Sequence, residues 1–379
     1  MAGTLLAGQL RRTSPDCGVE VTLATPADDA GLRRLWRETP MAGRVTVSLE
    51  REPDYFAEEK AGVWLETSFR QTVVARTGGR VVGSGSCTFH HGFVNGRSRR
   101  IGYLSGLRLD AAFAGRFPIA RRGYQLLEEL QRAAPADCYF TTIAADNERS
   151  IRLLERGLPG LPKYHYLCDF ITVLVPVRGS RRAGVSGARL SAAAAAEVSE
   201  VLNTRNCEYQ LAPCWSADQL LALPTLGLGE FATVREAGKL VGCAALWDQR
   251  SYKQTVIRAY VPALALARPL INAVSRMTNR PGLPAINRPL AQAVVSHLAV
   301  PADRPELLKR LLGDLLAAAA RKGIEFLTVG FADGDPRLSV LRGCFAAREY
   351  RTRIYRVQWP DLPGIELDQR IPFLEVALL

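Results

Sequence analysis

The sequence predicts two mixed α/β domains in tandem, and three observations carry that expectation. At 379 residues, 47% of them hydrophobic and 23% charged, the chain exceeds what a single hydrophobic core usually supports. The segment Val74-Ala-Arg-Thr-Gly-Gly-Arg-Val-Val-Gly83 also lies over Thr233-Val-Arg-Glu-Ala-Gly-Lys-Leu-Val-Gly242 without a gap, so Arg76, Gly79 and Gly83 match Arg235, Gly238 and Gly242. Between the two copies, residues 177–187 are rich in Gly, Ser and Arg and read as a linker.

Each copy of the repeat reads as a strand, a short Gly-containing turn and a second strand, the pattern of a tight hairpin. Further on, Tyr103-Leu-Ser-Gly-Leu-Arg-Leu109 matches Val294-Val-Ser-His-Leu-Ala-Val300. Each is a strand that leads through a polar loop into a long amphipathic helix, predicted over 118–134 and 305–322. Strands at 138–144 and 324–331 then run into Ala-Asp at 145–146 and 332–333. Short helices come next at 147–156 and 335–342, and apolar strands at 163–177 and 348–359 close each half. The expected division is a domain at 1–178, a linker at 179–187 and a domain at 188–379.

Charge and cysteine usage exclude several classes. The net charge of +12 splits into +7 before Gly187 and +5 after it, so neither half is a basic tail. Its 43 Arg against 6 Lys, together with the Ala-rich runs, look like the product of a GC-rich bacterial genome, and nucleic acid is not the expected partner. Arginine forks do suit an anionic ligand. The eight Cys include no C-x-x-C pair and none beside a His at metal-ligand spacing, so no metal site is expected. Cys87, Cys138, Cys168 and Cys243 sit in apolar runs that suit a reducing cytosol, and no apolar stretch approaches a membrane span. A cytoplasmic protein without membrane contact is expected. Gly227-Leu-Gly229-Glu-Phe-Ala232 precedes a strand instead of opening a helix, which excludes a dinucleotide loop.

The segment Asp146-Asn147-Glu-Arg-Ser150-Ile-Arg-Leu153-Leu154-Glu-Arg-Gly157, with the hairpin at 71–87 and the strand at 103–109, resembles the GNAT (GCN5-related N-acetyltransferase) superfamily. The chain as a whole looks like a tandem of two such domains. The resemblance implies a mixed, mostly antiparallel sheet flanked by helices. It also implies direct acyl transfer in a ternary complex from acyl-CoA, acetyl-CoA or another, to an amine-bearing acceptor, by a monomer or homodimer.

In the family, the strand at 105–109 pairs with the pantetheine arm, which assigns Leu107, Arg108 and Leu109 to the coenzyme and directs a backbone N–H at the thioester oxygen. The loop and helix start after it, with Gly115, Arg116, Arg121, Arg122 and Gly123, would cradle the pyrophosphate through amides and guanidiniums. Two alignments of this loop are open, one on Gly115-Arg116 and one on Gly123. Asn147 completes the coenzyme set. The family's usual helix tyrosine is replaced by Leu154, so the candidate proton donors are Tyr164, Tyr103 and Ser105, with Glu50 as a candidate base or amine holder. His165 is expected to be structural, and His90-His91 to be solvated.

The second half departs further. Its loop carries Asp303 and Glu306 where phosphate would sit, Gly334 replaces Asn147, and His297 is expected to be a core residue. The second half is therefore expected to be a scaffold. A non-catalytic binding protein built on degenerate domains is the alternative.

Overall fold

At the tip of each repeated hairpin two residues adopt the left-handed conformation, Gly78 and Gly79 in the first and Ala237 and Gly238 in the second. Such tips match the right-handed twist of the strands they join. The computed structural model describes residues 12–13, 18–60, 69–177, 192–223, 226, 230–278, 282–345, 348–362 and 364–379. The expected linker at 179–187 and the Gly227–Gly229 stretch lie outside the described residues.

The strands are β1 (Arg12–Thr13), β2 (Val19–Leu23), β3 (Val45–Glu50), β4 (Phe69–Thr77), β5 (Arg80–Val94), β6 (Arg97–Leu109) and β7 (Cys138–Ala144). They continue as β8 (Lys163–Pro176), β9 (Phe231–Glu236), β10 (Lys239–Trp247), β11 (Gln254–Tyr260), β12 (Gln292–Ala299), β13 (Phe326–Ala332) and β14 (Arg348–Gln358). The helices are α1 (Asp29–Glu38), α2 (Ala57–Lys60), α3 (Phe117–Arg132), α4 (Glu148–Glu155) and α5 (Ala192–Asn206). After these come α6 (Ala217–Ala222), α7 (Pro262–Met277), α8 (Pro305–Arg321) and α9 (Pro336–Cys344).

The repeated elements meet in one continuous twelve-stranded sheet, in the order β1-β2-β4-β5-β6-β7-β14-β8-β13-β12-β10-β9. Only β6·β7 and β12·β13 are parallel; the other pairs are antiparallel. Strand β14 lies between β7 and β8, and β8 lies between β14 and β13. The last strand of each half is thus hydrogen-bonded to a strand of the other half. A separate two-stranded sheet, β3·β11, adds a second tie between the halves.

The hairpins reproduce each other beyond their tips. β4·β5 shifts register between Ala75 and Arg76, and β9·β10 shifts between Leu240 and Gly242, which is the equivalent place. Such bulges bend a strand and raise its twist. At Gly83 an added Cβ would meet Leu109 and the Arg108 carbonyl, and at Gly242 it would meet the Ala299 carbonyl and Val300, so both glycines are set by close approach of the next strand. After the hairpins the copies differ. Asn95 and Gly96 turn β5 directly into β6, whereas β11 and α7, outside the large sheet, intervene between β10 and β12.

Side chains alternate across the sheet. On one face Val73, Ala75 and Val82 pack with Leu126 and Leu127 of α3. On the other Val74 and Val81 pack with Leu32, Leu35 and Trp36 of α1. In α8, Leu307, Leu308, Leu311, Leu312 and Leu315 recur at helical spacing and close the core of the second half. The first hairpin and the strand after it are much longer than the sequence pattern indicates, because β5 and β6 run on as an antiparallel ribbon to Val94 and Arg97. That extension corrects one expectation: His90 is buried, and burial pushes its imidazole down to about 4. His165 is exposed on β8.

Gly102 pairs with Tyr139 in the β6·β7 ladder, and a Cβ there would come within 2.5 Å of the Tyr139 ring. Tyr139 is itself buried and bonded through its hydroxyl to the Ala136 N–H, so its ring has little room to yield. Gly102→Ala is therefore expected to cost about 1–3 kcal/mol, read as a lowered urea midpoint at unchanged slope.

Candidate active site

The parallel pair at the heart of the first half separates after four rungs. β6 and β7 pair from Ile101–Leu104 against Cys138–Thr141; beyond that β6 stays on β5 to Leu109 while β7 stays on β14 to Ala144. A gap opens between them. The last rung is fastened by Thr141 Oγ1, which donates to the Leu104 carbonyl at 2.7 Å. Just past it β6 bulges: Ser86 faces Ser105 and Ser84 faces Arg108, leaving Gly106 and Leu107 against a single partner residue. Gly106 has φ +65°, and a Cβ there would touch the Trp36 ring at 3.0 Å. Leu107 is 43% exposed.

The second half repeats this geometry and fills it. β12 and β13 pair only over Gln292–Val294 and Phe326–Thr328, and β12 bulges at His297, whose φ of +50° matches Gly106. A side chain now occupies the place that glycine leaves clear. The His297 ring lies 4.3 Å from Trp215 and within 6 Å of Phe231 and Trp247. The His297 backbone N–H donates to Glu375 at 2.8 Å, and Val376 packs where a Cβ on Gly330 would clash. His297 is a core residue as expected, pushed down by burial to about 3.

Burial pushes the Glu375 carboxyl up to about 7, against the two N–H groups it accepts from His297 and Ala377. A carboxyl raised in the fold adds stability that is full below its unfolded value near 4.3 and is lost as pH rises through about 7. Glu375→Gln, a neutral mimic, is expected to match the parent in melting temperature at pH 5 and to exceed it at pH 8.5. A gap that does not widen with pH would refute this.

In the first half, the coenzyme candidates gather around the gap. Leu109 packs toward α3, Gly115 (φ +88°) and Arg116 are exposed at the helix start, Arg121 and Arg122 lie in its first turns, and Gly123 comes next with open space at its Cβ. Arg149, which sequence reasoning missed, reaches within 3.5 Å of a Cβ placed on Gly115, so α4 and the loop converge. Asn147 caps α4 by accepting from the Ser150 N–H. The expected amide cradle needs correction, because the N–H groups of Arg116, Phe117 and Ile119 already donate to the carbonyls of Phe113, Gly115 and Arg116, and Pro118 has none. What the helix start offers an anion is guanidinium: Arg116, Arg121, Arg149 and Arg122, whose Nη1 is buried with no hydrogen-bond partner. The residues therefore fit a phosphate group through arginine forks.

The proton-transfer candidates are dispersed. Tyr103 stacks on Phe140 at 4.8 Å on the α1 side of the sheet and shares a 2.9 Å hydrogen bond with Thr142, beside the gap. Burial raises its phenol above the ordinary value, so it is protonated at neutral pH. Ser105 is the last residue before the bulge. Tyr164 lies elsewhere: it pairs with Val357 near the start of β7, and its hydroxyl is bonded to Tyr124 of α3 at 2.7 Å. Glu50, on β3, is paired with Arg258 and lies 3.8 Å from Arg37, so two guanidiniums neutralise it.

Around the α1 side of the gap is a group of charges and rings with no sequence signature. The Trp36 ring carries Arg51 on one contact and Arg108 on another, each 5.3 Å from its centroid. Glu58, 1% exposed, is paired with Arg51 and with Arg70 at 2.7 Å. Lys253, from the second half, donates to Leu379, and burial pulls it down to about 8. Among the described residues no group of three metal-ligating side chains occurs, and no helix is long and apolar enough to cross a membrane.

A sheet whose parallel pair splays after a bulge, with arginines at a helix start on one face and rings and charges on the other, has the arrangement of the GNAT fold. Residues 29–158 match the model of the acetyltransferase (GNAT) family. No curated protein matches the chain. Among solved structures, a GCN5-related N-acetyltransferase from Sphaerobacter thermophilus is similar at 12% identity, with 94% of this chain and 99% of that one covered and a TM-score of 0.53. Saccharomyces cerevisiae N-myristoyltransferase with bound myristoyl-CoA is similar at 10% identity, with 96% and 88% covered and a TM-score of 0.61. These likenesses show a shared fold along nearly the whole chain.

Proposed function

We propose that the chain is an acyl-CoA-dependent N-acyltransferase whose first half, residues 1–178, is catalytic and whose second half, 188–379, shapes the acceptor recess. One observation carries the reading: the same splayed, bulged pair occurs twice, open beside Gly106 and Leu107 and filled by His297, Trp215 and Glu375 in its copy. In this reading the pantetheine arm lies along β6 beyond Leu104, and its phosphates are held by Arg116, Arg121, Arg122 and Arg149. The acyl carbonyl meets a backbone N–H of the bulged segment, which stabilises the oxyanion. The acceptor amine attacks the thioester carbon from the α1 side, the C–N bond forms and the C–S bond breaks. Tyr103 gives its proton to the departing thiolate, and the amine proton passes to solvent. Tyr164 and Glu50 are given no part, since Tyr164 is bonded to Tyr124 of α3 and Glu50 is paired with Arg258.

Calorimetric titration with acetyl-CoA and longer acyl-CoAs tests the first step; wild-type protein that binds none of them at high micromolar ligand would end the proposal. A non-catalytic acyl-CoA-binding protein is the second reading, favoured by the committed amides at the α3 start. Acceptor-dependent thiol release across a panel of amines separates the two.

A further inference from the structure

We propose that Arg108 is the anion-recognition residue of the acceptor site, and that the acceptor amine carries a carboxylate which pairs with it. The inference deepens the acyltransferase reading and rests on it. The family resemblance assigns Arg108 to the coenzyme strand, where its backbone would count; the structure turns its side chain the other way. Its neighbour Leu109 packs toward α3, the face that bears the phosphate arginines, while the Arg108 guanidinium stacks on Trp36 of α1.

The environment of that guanidinium is what points to a ligand. Among the described residues its buried Nε has no hydrogen-bond partner, and its Nη1 donates only to the carbonyl of adjacent Leu107, at 3.3 Å. The groups that act on it electrically are the phenols of Tyr55, Tyr350 and Tyr103, and burial draws it below its ordinary value with no carboxylate among the described residues to restore it. Among the described acids, Glu58 is paired with Arg51 and Arg70, Glu50 with Arg258 and Asp110 with Arg80, while Asp146 acts on Tyr350 and is not among the groups that act on Arg108. The residue nevertheless keeps some surface accessible, as a group lining a recess does. A guanidinium removed from bulk water without an anion is costly, and the cost is recovered when a ligand brings the charge. Its planar fork suits a carboxylate, and the rings around it suit the apolar body of an amino-acid-like molecule. Held there, the acceptor's amine lies on the Tyr103 side of the gap.

The test uses the full chain and product-like probes that need no turnover. N-acetylglycine and N-acetyl-L-phenylalanine are titrated by calorimetry against their primary amides and against inorganic phosphate, in wild type, Arg108→Gln and Arg108→Lys. The acids are expected to bind roughly tenfold or more tighter than the amides, with the difference erased in the Gln variant and partly kept in the Lys variant. A purely structural role for Arg108 would shift the melting temperature and leave the acid-to-amide ratio intact. Equal binding of acid and amide, binding of neither, or preference for phosphate would each overturn the proposal. Failure of CoA itself to bind would instead sink the acyltransferase reading, leaving the acid and amide comparison to decide on Arg108.

Discussion

Glu58→Ala is expected to cost about 3–5 kcal/mol of folding stability. The carboxylate is 1% exposed and holds Arg51 and Arg70 together, and Arg70 in turn donates to Thr88 on β5. Deleting it leaves two guanidiniums facing each other, with Glu59 3.5 Å from Arg70. Glu58→Gln, which keeps the shape and one acceptor oxygen, should fall between the variant and wild type. The same group sets a pH dependence. Burial alone would raise its carboxyl, but Arg70, Arg51 and Lys253 together hold it well below the usual carboxylate range. A carboxyl depressed in the fold adds stability that is full above its unfolded value near 4.3 and is lost as pH falls below it. Urea melts at pH 7 and pH 4 read both predictions. The gap between wild type and Glu58→Gln should narrow at pH 4, and a constant gap would show that the charge is not what matters.

Tyr103→Phe is expected to lower kcat by roughly 10²–10⁴-fold while the Kd for acyl-CoA is unchanged, because the hydroxyl acts on the leaving thiolate and touches no bound part of the donor. The lost hydrogen bond to Thr142 should cost only about 1 kcal/mol of stability, so the variant remains folded and the two effects are separable. Thiol release in steady state and calorimetry on the same preparation decide it. A kcat within a few-fold of wild type would return the proton to solvent and remove Tyr103 from the mechanism. Since burial raises the phenol, no alkaline loss of activity from this group is expected below its ordinary titration range.

Much of the chain's organisation was legible from pattern. The offset between Val74–Gly83 and Thr233–Gly242 announced two hairpins that share even their left-handed tips and their bulges, because a two-residue turn and a close strand approach demand glycine at fixed positions. The match of Gly106 to His297 was visible too, although its meaning needed φ values. The candidate site was less legible. The coenzyme positions lie in one contiguous stretch of β6 and α3, so resemblance could gather them, whereas Arg149 joins them from α4 through space. Trp36, Glu58, Arg70, Lys253 and Tyr350 have no spacing relation to one another.

The sequence by itself determined that two α/β units are related, roughly where the strands and helices common to both fall, and which stretch could meet a coenzyme. These depend on local rules: hydrophobic period, turn chemistry and the glycines that close approach requires. The tertiary structure alone decided that β8 and β14 join the halves into one sheet, that Glu50 and Tyr164 are spent on other partners, and that Arg108 faces α1 with no counter-ion among the described residues. Strand order, ion pairing and desolvation arise between residues far apart in the chain, and no local pattern records which charge will find a partner.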